Sequence, residues 1–223
     1  MPRAIQMSAY IGEESRGKQE WLRSPASLAE HLSRGLWRRA KHLDYISNKI
    51  IECEHRPLRL IVTLPPRHGK SELISHWTPV WFLKRWPWKR VIITSYQSGF
   101  ATEWGGLAKN SMVDNAHELG LELMQDTKAK ARWRIKGYGG GMTAAGIGGP
   151  ITGRGGDLII IDDPIKSQKE ALSETYRNST WEWYRATLRT RAQPGASIIL
   201  LLSLIHISEP TRPLYISYAV FCL

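Results

Sequence analysis

Leu58-Arg59-Leu60-Ile61-Val62-Thr63-Leu64-Pro65-Pro66-Arg67-His68-Gly69-Lys70-Ser71 is the stretch whose reading decides the fold. Leu58 to Leu64 is a short apolar run ended by Pro65-Pro66, which is how a buried strand reads. Ser71 to about Arg85 reads as a helix, with Pro79 expected to kink or shorten it. A strand, a Gly-Lys-Ser turn and a helix are the setting of a P-loop. In such a loop, backbone amides of the turn and the helix N-terminus cradle phosphates. Pro66, Arg67, His68, Gly69, Lys70 and Ser71 are therefore the expected nucleotide-binding residues. Lys70 is expected to reach the β- and γ-phosphates of ATP, and Ser71 to bind Mg2+. The full motif opens on glycine, and Leu64 stands there instead, so this is a deviant form. The competing reading is an ordinary strand-to-helix turn with a surface lysine.

Further along, Asp157-Leu158-Ile159-Ile160-Ile161-Asp162-Asp163-Pro164 ends an apolar run in two carboxylates. In open parallel sheets ligands bind at the C-terminal ends of strands. Asp162 is the expected metal carboxylate and Asp163 the expected general base. The alternative, that both merely cap the next turn, loses weight once a second half of the same site lies upstream. Arg67 is a catalytic candidate, either stabilising charge in the transition state or clamping a phosphate. Arg154 sits in Ile151-Thr152-Gly153-Arg154-Gly155-Gly156, where phosphate sensing, contact with a neighbouring subunit and plain solvation are all open.

The surrounding pattern alternates helices with apolar strands. Ser27 to about Cys53 is helical, with Leu28, Leu32, Leu36, Leu43, Ile46 and Ile50 on one face. Arg90–Ser95 and Ile198–Leu202 are buried strands, Phe100–Val113 is a helix, and Glu170–Arg191 is a helix ended by Pro194-Gly195. Lys128, Lys130, Arg132, Arg134 and Lys136 alternate along a possible strand from Ala131 to Lys136. They would share a face that meets DNA phosphates or guards a solvated edge. Ten of the nineteen glycines fall between Gly137 and Gly156, a moving loop or a tight packing corner. Trp77 and Trp81 read as core, and Trp86 and Trp88 as packing with a basic rim, with contact to nucleic acid or a neighbouring subunit as the alternative. The fold class is α/β, a mostly parallel sheet with helices on both faces.

Composition narrows the classes. The 223 residues carry 31 Lys+Arg against 20 Asp+Glu, a formal charge of +11, which favours an anionic partner, nucleic acid before a membrane surface. A hydrophobic fraction of 42% excludes wholesale disorder. Cys53 and Cys222 make neither a disulfide framework nor a metal quartet. There is no secretory h-region and no apolar run long enough to span a membrane.

Taken together, Pro65 to Leu73, Ile151 to Asp157, Ile160 to Pro164, Trp181-Glu182-Trp183-Tyr184 and Thr190 to Gly195 resemble the ATPase half of tailed-phage large terminase subunits. The resemblance covers about Leu36 to Leu202. It implies a P-loop NTPase of the ASCE type, using ATP and Mg2+ to drive double-stranded DNA into a procapsid. It also implies a small terminase subunit and a portal ring as partners, a homo-oligomeric ring, and work in the cytoplasm of a bacterial host. Relatives often place Glu where Asp163 stands. They also follow the strand resembling Ile198–Leu202 with a Thr-Arg-Trp-His-like coupling segment, where this chain has Ser203-Leu204-Ile205-His206. On this reading the family's C-terminal nuclease half is not expected within this chain. Residues 1–26 are an expected mobile arm, 27–202 the ATPase domain and 203–223 a non-native tail. From Leu204 that tail looks like translated sequencing-adapter read-through, with a divergent native strand as the alternative. Other functions in contention are another P-loop NTPase, helicase-like or a small-molecule kinase, and a truncated fragment without function.

Overall fold

The computed structural model of the chain describes residues 20–125, 129–149, 151, 155–203 and 219–222. The first helix, α1 (Pro25–Leu32), opens where the Ser24 hydroxyl accepts the Ser27 amide at 3.1 Å. Pro25 fills the first turn, where its missing N–H costs nothing. Ala26, placed by the sequence pattern in the arm, is fully buried in this helix. The single helical run expected from Ser27 to Cys53 is two helices, with α2 spanning Lys41–Ile51. Gly35 at φ +78 breaks the run. Leu36, expected on the apolar face, is consequently 90% exposed. Leu28, Leu32, Leu43, Ile46 and Ile50 are buried as their spacing predicts.

The strands are β1 (Arg59–Leu64), β2 (Arg90–Ser95), β3 (Arg132–Arg134), β4 (Gly141–Gly146), β5 (Gly156–Asp162), β6 (Ala192–Ser203) and β7 (Ala219–Cys222). They form one sheet in the order β3-β4-β2-β5-β6-β1-β7. The five central strands run parallel, while β3 and β7 pair antiparallel at the two edges. One strand, β6, separates β1 from β5, which places it between the two halves of the expected site. Two strands depart from the sequence reading. Gly-Met-Thr-Ala-Ala-Gly is poor in strand formers, yet it is β4. A Cβ on Gly140 would lie 2.1 Å from the Pro87 carbonyl, so the packing-corner alternative holds here. The segment 203–223, expected to carry no strand pattern, supplies the last residue of β6 and a four-residue strand on the edge of β1.

Pro79 neither ends nor breaks its helix. A π-helical stretch, Glu72–Trp77, precedes α3 (Thr78–Arg85), and Pro79 falls in the first turn of α3, where it is tolerated. α4 (Ser98–Asp114) and α5 (Ala116–Leu119) follow β2. The expected Glu170–Arg191 helix is divided into α6 (Gln168–Leu172) and α7 (Glu174–Trp183) by Ser173, whose hydroxyl accepts the Tyr176 amide. A π-helical turn over Tyr184–Leu188 continues α7, and Pro194-Gly195 lie inside β6 rather than at a helix end.

The larger core packs α1 to α4 on one face of the sheet, around Trp81, Phe82 and Trp133. A smaller cluster on the other face joins Ile92, Ile151, Ile159, Ile161, Leu188 and Ile198. Trp77 and Trp81 are buried, as expected. Trp86 is half-buried with Lys89 over its ring at 4.5 Å, which is packing with a basic rim, whereas Trp88 is 46% exposed and does not follow that reading. Among the described residues, no helix is long and apolar enough to cross a membrane.

Candidate active site

Leu64 ends β1 fully buried, so the position where the full motif has glycine is a core position here. The chain then turns through Pro65 to Gly69 into the helix. Gly69 has φ +76, and a Cβ there would come within 3.1 Å of Leu43 Cδ1. Glycine therefore serves both the turn and the close approach of α2. The same helix props the loop from outside. His42 Nε2 donates to the His68 carbonyl at 3.0 Å, and His68 Nδ1 donates to the Pro66 carbonyl at 2.8 Å. Pro66 and Arg67 are exposed at the tip, and Arg67 has φ +64.

Lys70 is the first buried residue of the loop, 6% exposed. Its Nζ donates to Ser203 Oγ at 2.9 Å and lies 3.4 Å from Asp163 Oδ2. Ser203 Oγ in turn donates to Asp163 Oδ2 at 2.7 Å. Three chain segments thus close one triangle at the C-terminal ends of β1, β5 and β6. Beside it, Ser71 Oγ donates to Asp162 Oδ1 at 3.0 Å, and Ser75 Oγ to Asp162 Oδ2 at 2.9 Å. Pro66 to Ser71, Asp162 and Asp163 therefore all occupy one end of the sheet. Arg154 and Lys128 lie outside the described residues.

Asp162 is 3% exposed. Burial pushes its pKa up to about 6, and the neighbouring charge of Asp163 adds to the rise. Hydrogen bonds from Ser75 and Ser71, and the charge of Lys70, act the other way. Asp163 has φ +43, and its amide donates to the Leu201 carbonyl at 3.1 Å. Its Oδ1 is buried and has no hydrogen-bond partner among the described residues. A buried orphan acceptor normally carries a cost of about 1–3 kcal/mol, so it marks a place built for a further donor. Of the three non-glycine residues at positive φ among those described, Arg67 and Asp163 are both here. Strain of this kind collects at functional sites.

Two members of the site escaped sequence reading. Ser75 follows Ser71 by one helical turn, a spacing that puts both on one face. Ser203 is the first polar residue after the apolar run of β6, the same signal that marked Asp162.

The arrangement suits a phosphate ester chemically. An ammonium and loop amides at a helix start offer donors to phosphate oxygens. Among the described residues, no three His, Cys, Asp or Glu side chains form a metal cage. That fits Mg2+, which takes one or two protein oxygens and completes its shell with water and substrate phosphates. Ser71 and Asp162 are the oxygens at hand.

No family model matches the sequence, and no curated protein matches it. The structure does find solved relatives. The crystal structure of the HK97 bacteriophage large terminase superimposes with a TM-score of 0.50 at 12% identity, over 74% of this chain and 33% of that one. Over the matched residues the chain is similar to that terminase in fold. It spans about a third of the HK97 protein's length. A large terminase from a thermophilic bacteriophage gives a TM-score of 0.47 at 12% identity, over 74% of this chain and 39% of that one.

Proposed function

We propose that this chain is the ATP-hydrolysing part of a DNA-packaging motor of the large-terminase kind. The observation that carries the reading is the meeting of Lys70, Ser71, Asp162 and Asp163 at one end of a parallel sheet, in a fold shared with the HK97 large terminase. Lys70 and the backbone amides of the loop from Pro66 to Ser71 bind the β- and γ-phosphates of ATP. Ser71 and Asp162 would hold Mg2+, which would supply charge neutralisation to the phosphates. Asp163 Oδ1 has no partner among the described residues, so it is the atom free to take a proton from an attacking water. Its Oδ2 stays anchored to Ser203 and Lys70, which orients the carboxylate. Arg67, exposed on the loop tip, is placed to meet outer phosphate oxygens.

Coupling to double-stranded DNA, assembly into a ring, docking on a portal with a small terminase subunit, and work in the bacterial cytoplasm belong to the same proposal. The deciding experiment measures phosphate release from ATP by the purified chain with and without duplex DNA. Stimulation by duplex DNA, lost in Lys70→Ala, supports the motor. Turnover indifferent to DNA means a different P-loop NTPase, and equal ATP binding by Lys70→Ala removes the site itself.

A further inference from the structure

We propose that Glu72, His76 and Ser111 form a positioning relay, which ties the helix following the β1 loop to α4 and so holds Ser71 and Ser75 on the two oxygens of Asp162. The inference deepens the nucleotide-site reading and rests on it.

The relay is a continuous line of side chains. His76 Nδ1 lies 2.8 Å from Glu72 Oε1, one turn back on its own helix. His76 Nε2 lies 2.7 Å from Ser111 Oγ on α4. An ionised carboxylate only accepts, so Nδ1 carries a proton. In the neutral ring Ser111 Oγ then donates to Nε2. His76 is 6% exposed, and these two bonds satisfy a ring that burial would otherwise penalise. The indole of Trp77 stacks on the imidazole, with ring centres 4.2 Å apart and planes at 21°. Ser111 stands in a packed seam, because Ala108 and Met112 of α4 share one core with Leu73 and Trp77. Both ends of the relay are therefore anchored in packed helices.

The sequence interleaves this relay with the contacts to Asp162. Glu72 follows Ser71, and His76 follows Ser75. Neighbours on a helix point roughly 100° apart, so Ser71 and Ser75 face one way, and Glu72 and His76 another. The serines donate to Asp162 Oδ1 and Oδ2 at 3.0 and 2.9 Å. One helical turn is thus gripped on two sides, by the sheet through Asp162 and by α4 through Ser111.

That turn is an unusual one. Glu72–Trp77 is π-helical, and the Thr78 amide reaches back to the Leu73 carbonyl, which also accepts Thr78 Oγ1 at 2.9 Å. Single π-turns are rare and collect at functional sites. A wider turn alters the angle at which Ser75 leaves the helix, so whatever fixes the turn also fixes where the Ser75 hydroxyl meets Asp162. Ser111 and His76 act through that turn, which makes them positioning residues rather than catalytic ones.

Mn2+ standing in for Mg2+ tests this by electron paramagnetic resonance, with the full chain and a non-hydrolysable ATP analogue. Ser111→Ala is expected to weaken Mn2+ binding about fivefold, the loss of one hydrogen bond. Ser111→Thr keeps the hydroxyl and should bind within about twofold of wild type. Ser75→Ala should also weaken binding about fivefold. Combining Ser75→Ala with Ser111→Ala should weaken it no more than about tenfold, because both break one line of contacts. A double variant weakened about 25-fold, the product of the singles, means independent sites and overturns the relay. Ser111→Ala binding as tightly as wild type overturns it too, as does Ser111→Thr binding as weakly as Ser111→Ala. Heteronuclear NMR of the His76 ring in the wild-type chain needs no variant to fold. Nδ1 is expected to be protonated, and a ring protonated at Nε2 alone overturns the relay. In each of these cases the nucleotide-site reading stands. If wild type binds no Mn2+ in the presence of the analogue, that reading fails and the relay falls with it.

Discussion

One sheet has two ends with opposite chemistry. At the C-terminal ends of β1, β5 and β6, the charged groups are buried and bonded to each other. Lys70 is 6% exposed and Asp162 3%. At the N-terminal ends of β2 and β4, Arg90 and Arg134 are half-buried, and Arg132 is exposed. The difference teaches where charge is strong. In the dry end each hydrogen bond and each neighbouring charge shifts a protonation equilibrium, as the raised pKa of Asp162 records. In the wet end screening makes each single charge weak.

The largest expected break in this comparison is Lys70→Ala, which should lower ATP turnover about 1000-fold, read by phosphate release. Arg132→Gln with Arg134→Gln should leave turnover without DNA within about twofold. Loss of basal turnover in the arginine pair would mean that the two ends are not separate. Next, Asp163→Asn is expected to lower turnover about 100-fold while ATP affinity stays near wild type, measured by calorimetry. Weakened binding with unchanged turnover would assign Asp163 to substrate holding instead.

The pH response sharpens the dry end. Folding raises the Asp162 pKa from 3.8 to about 6, so the folded chain keeps a proton that the unfolded chain has released. Stability from this group is full below about pH 4 and is lost as pH rises through 6, on the order of 3 kcal/mol in total. Without divalent cation, wild type should therefore lose stability over that window relative to Asp162→Asn, seen in urea titrations at each pH. Parallel curves would show that Asp162 is better solvated than its burial implies. The smallest effect expected is Ser75→Ala, about 1 kcal/mol of stability from one lost hydrogen bond, read by the same titrations.

Much of this was legible in the sequence, for identifiable reasons. Consecutive apolar residues announced β1, β2 and β5, bounded by proline after β1 and carboxylates after β5, and polar residues at those two ends announced Lys70, Ser71, Asp162 and Asp163. What failed to show was whatever depends on distant backbone. β4 is a strand because Gly140 and Gly141 fit against Pro87 and Trp133, and no local propensity says so. Ser203 carries the local signal of a polar residue closing an apolar run, but what it meets is set by the pairing of Leu64 with Ser203 across β1 and β6. The division of α1 from α2 turned on Arg34 and Gly35, whose left-handed backbone outweighed an apolar period that ran on to Leu36.

The position of β6 between β1 and β5 has a consequence in time. Leu58 donates its amide to Ser197 Oγ, a partner 139 residues away. Contacts so distant along the chain form slowly, because a large loop must close before they repay it. On the ribosome, the loop after β1 emerges early, but Lys70 has no Ser203 to bond until nearly the whole described chain has been made. The candidate site is therefore among the last features of the molecule to exist, and a nascent chain halted before β6 holds every residue of the loop after β1 without the strand that completes it.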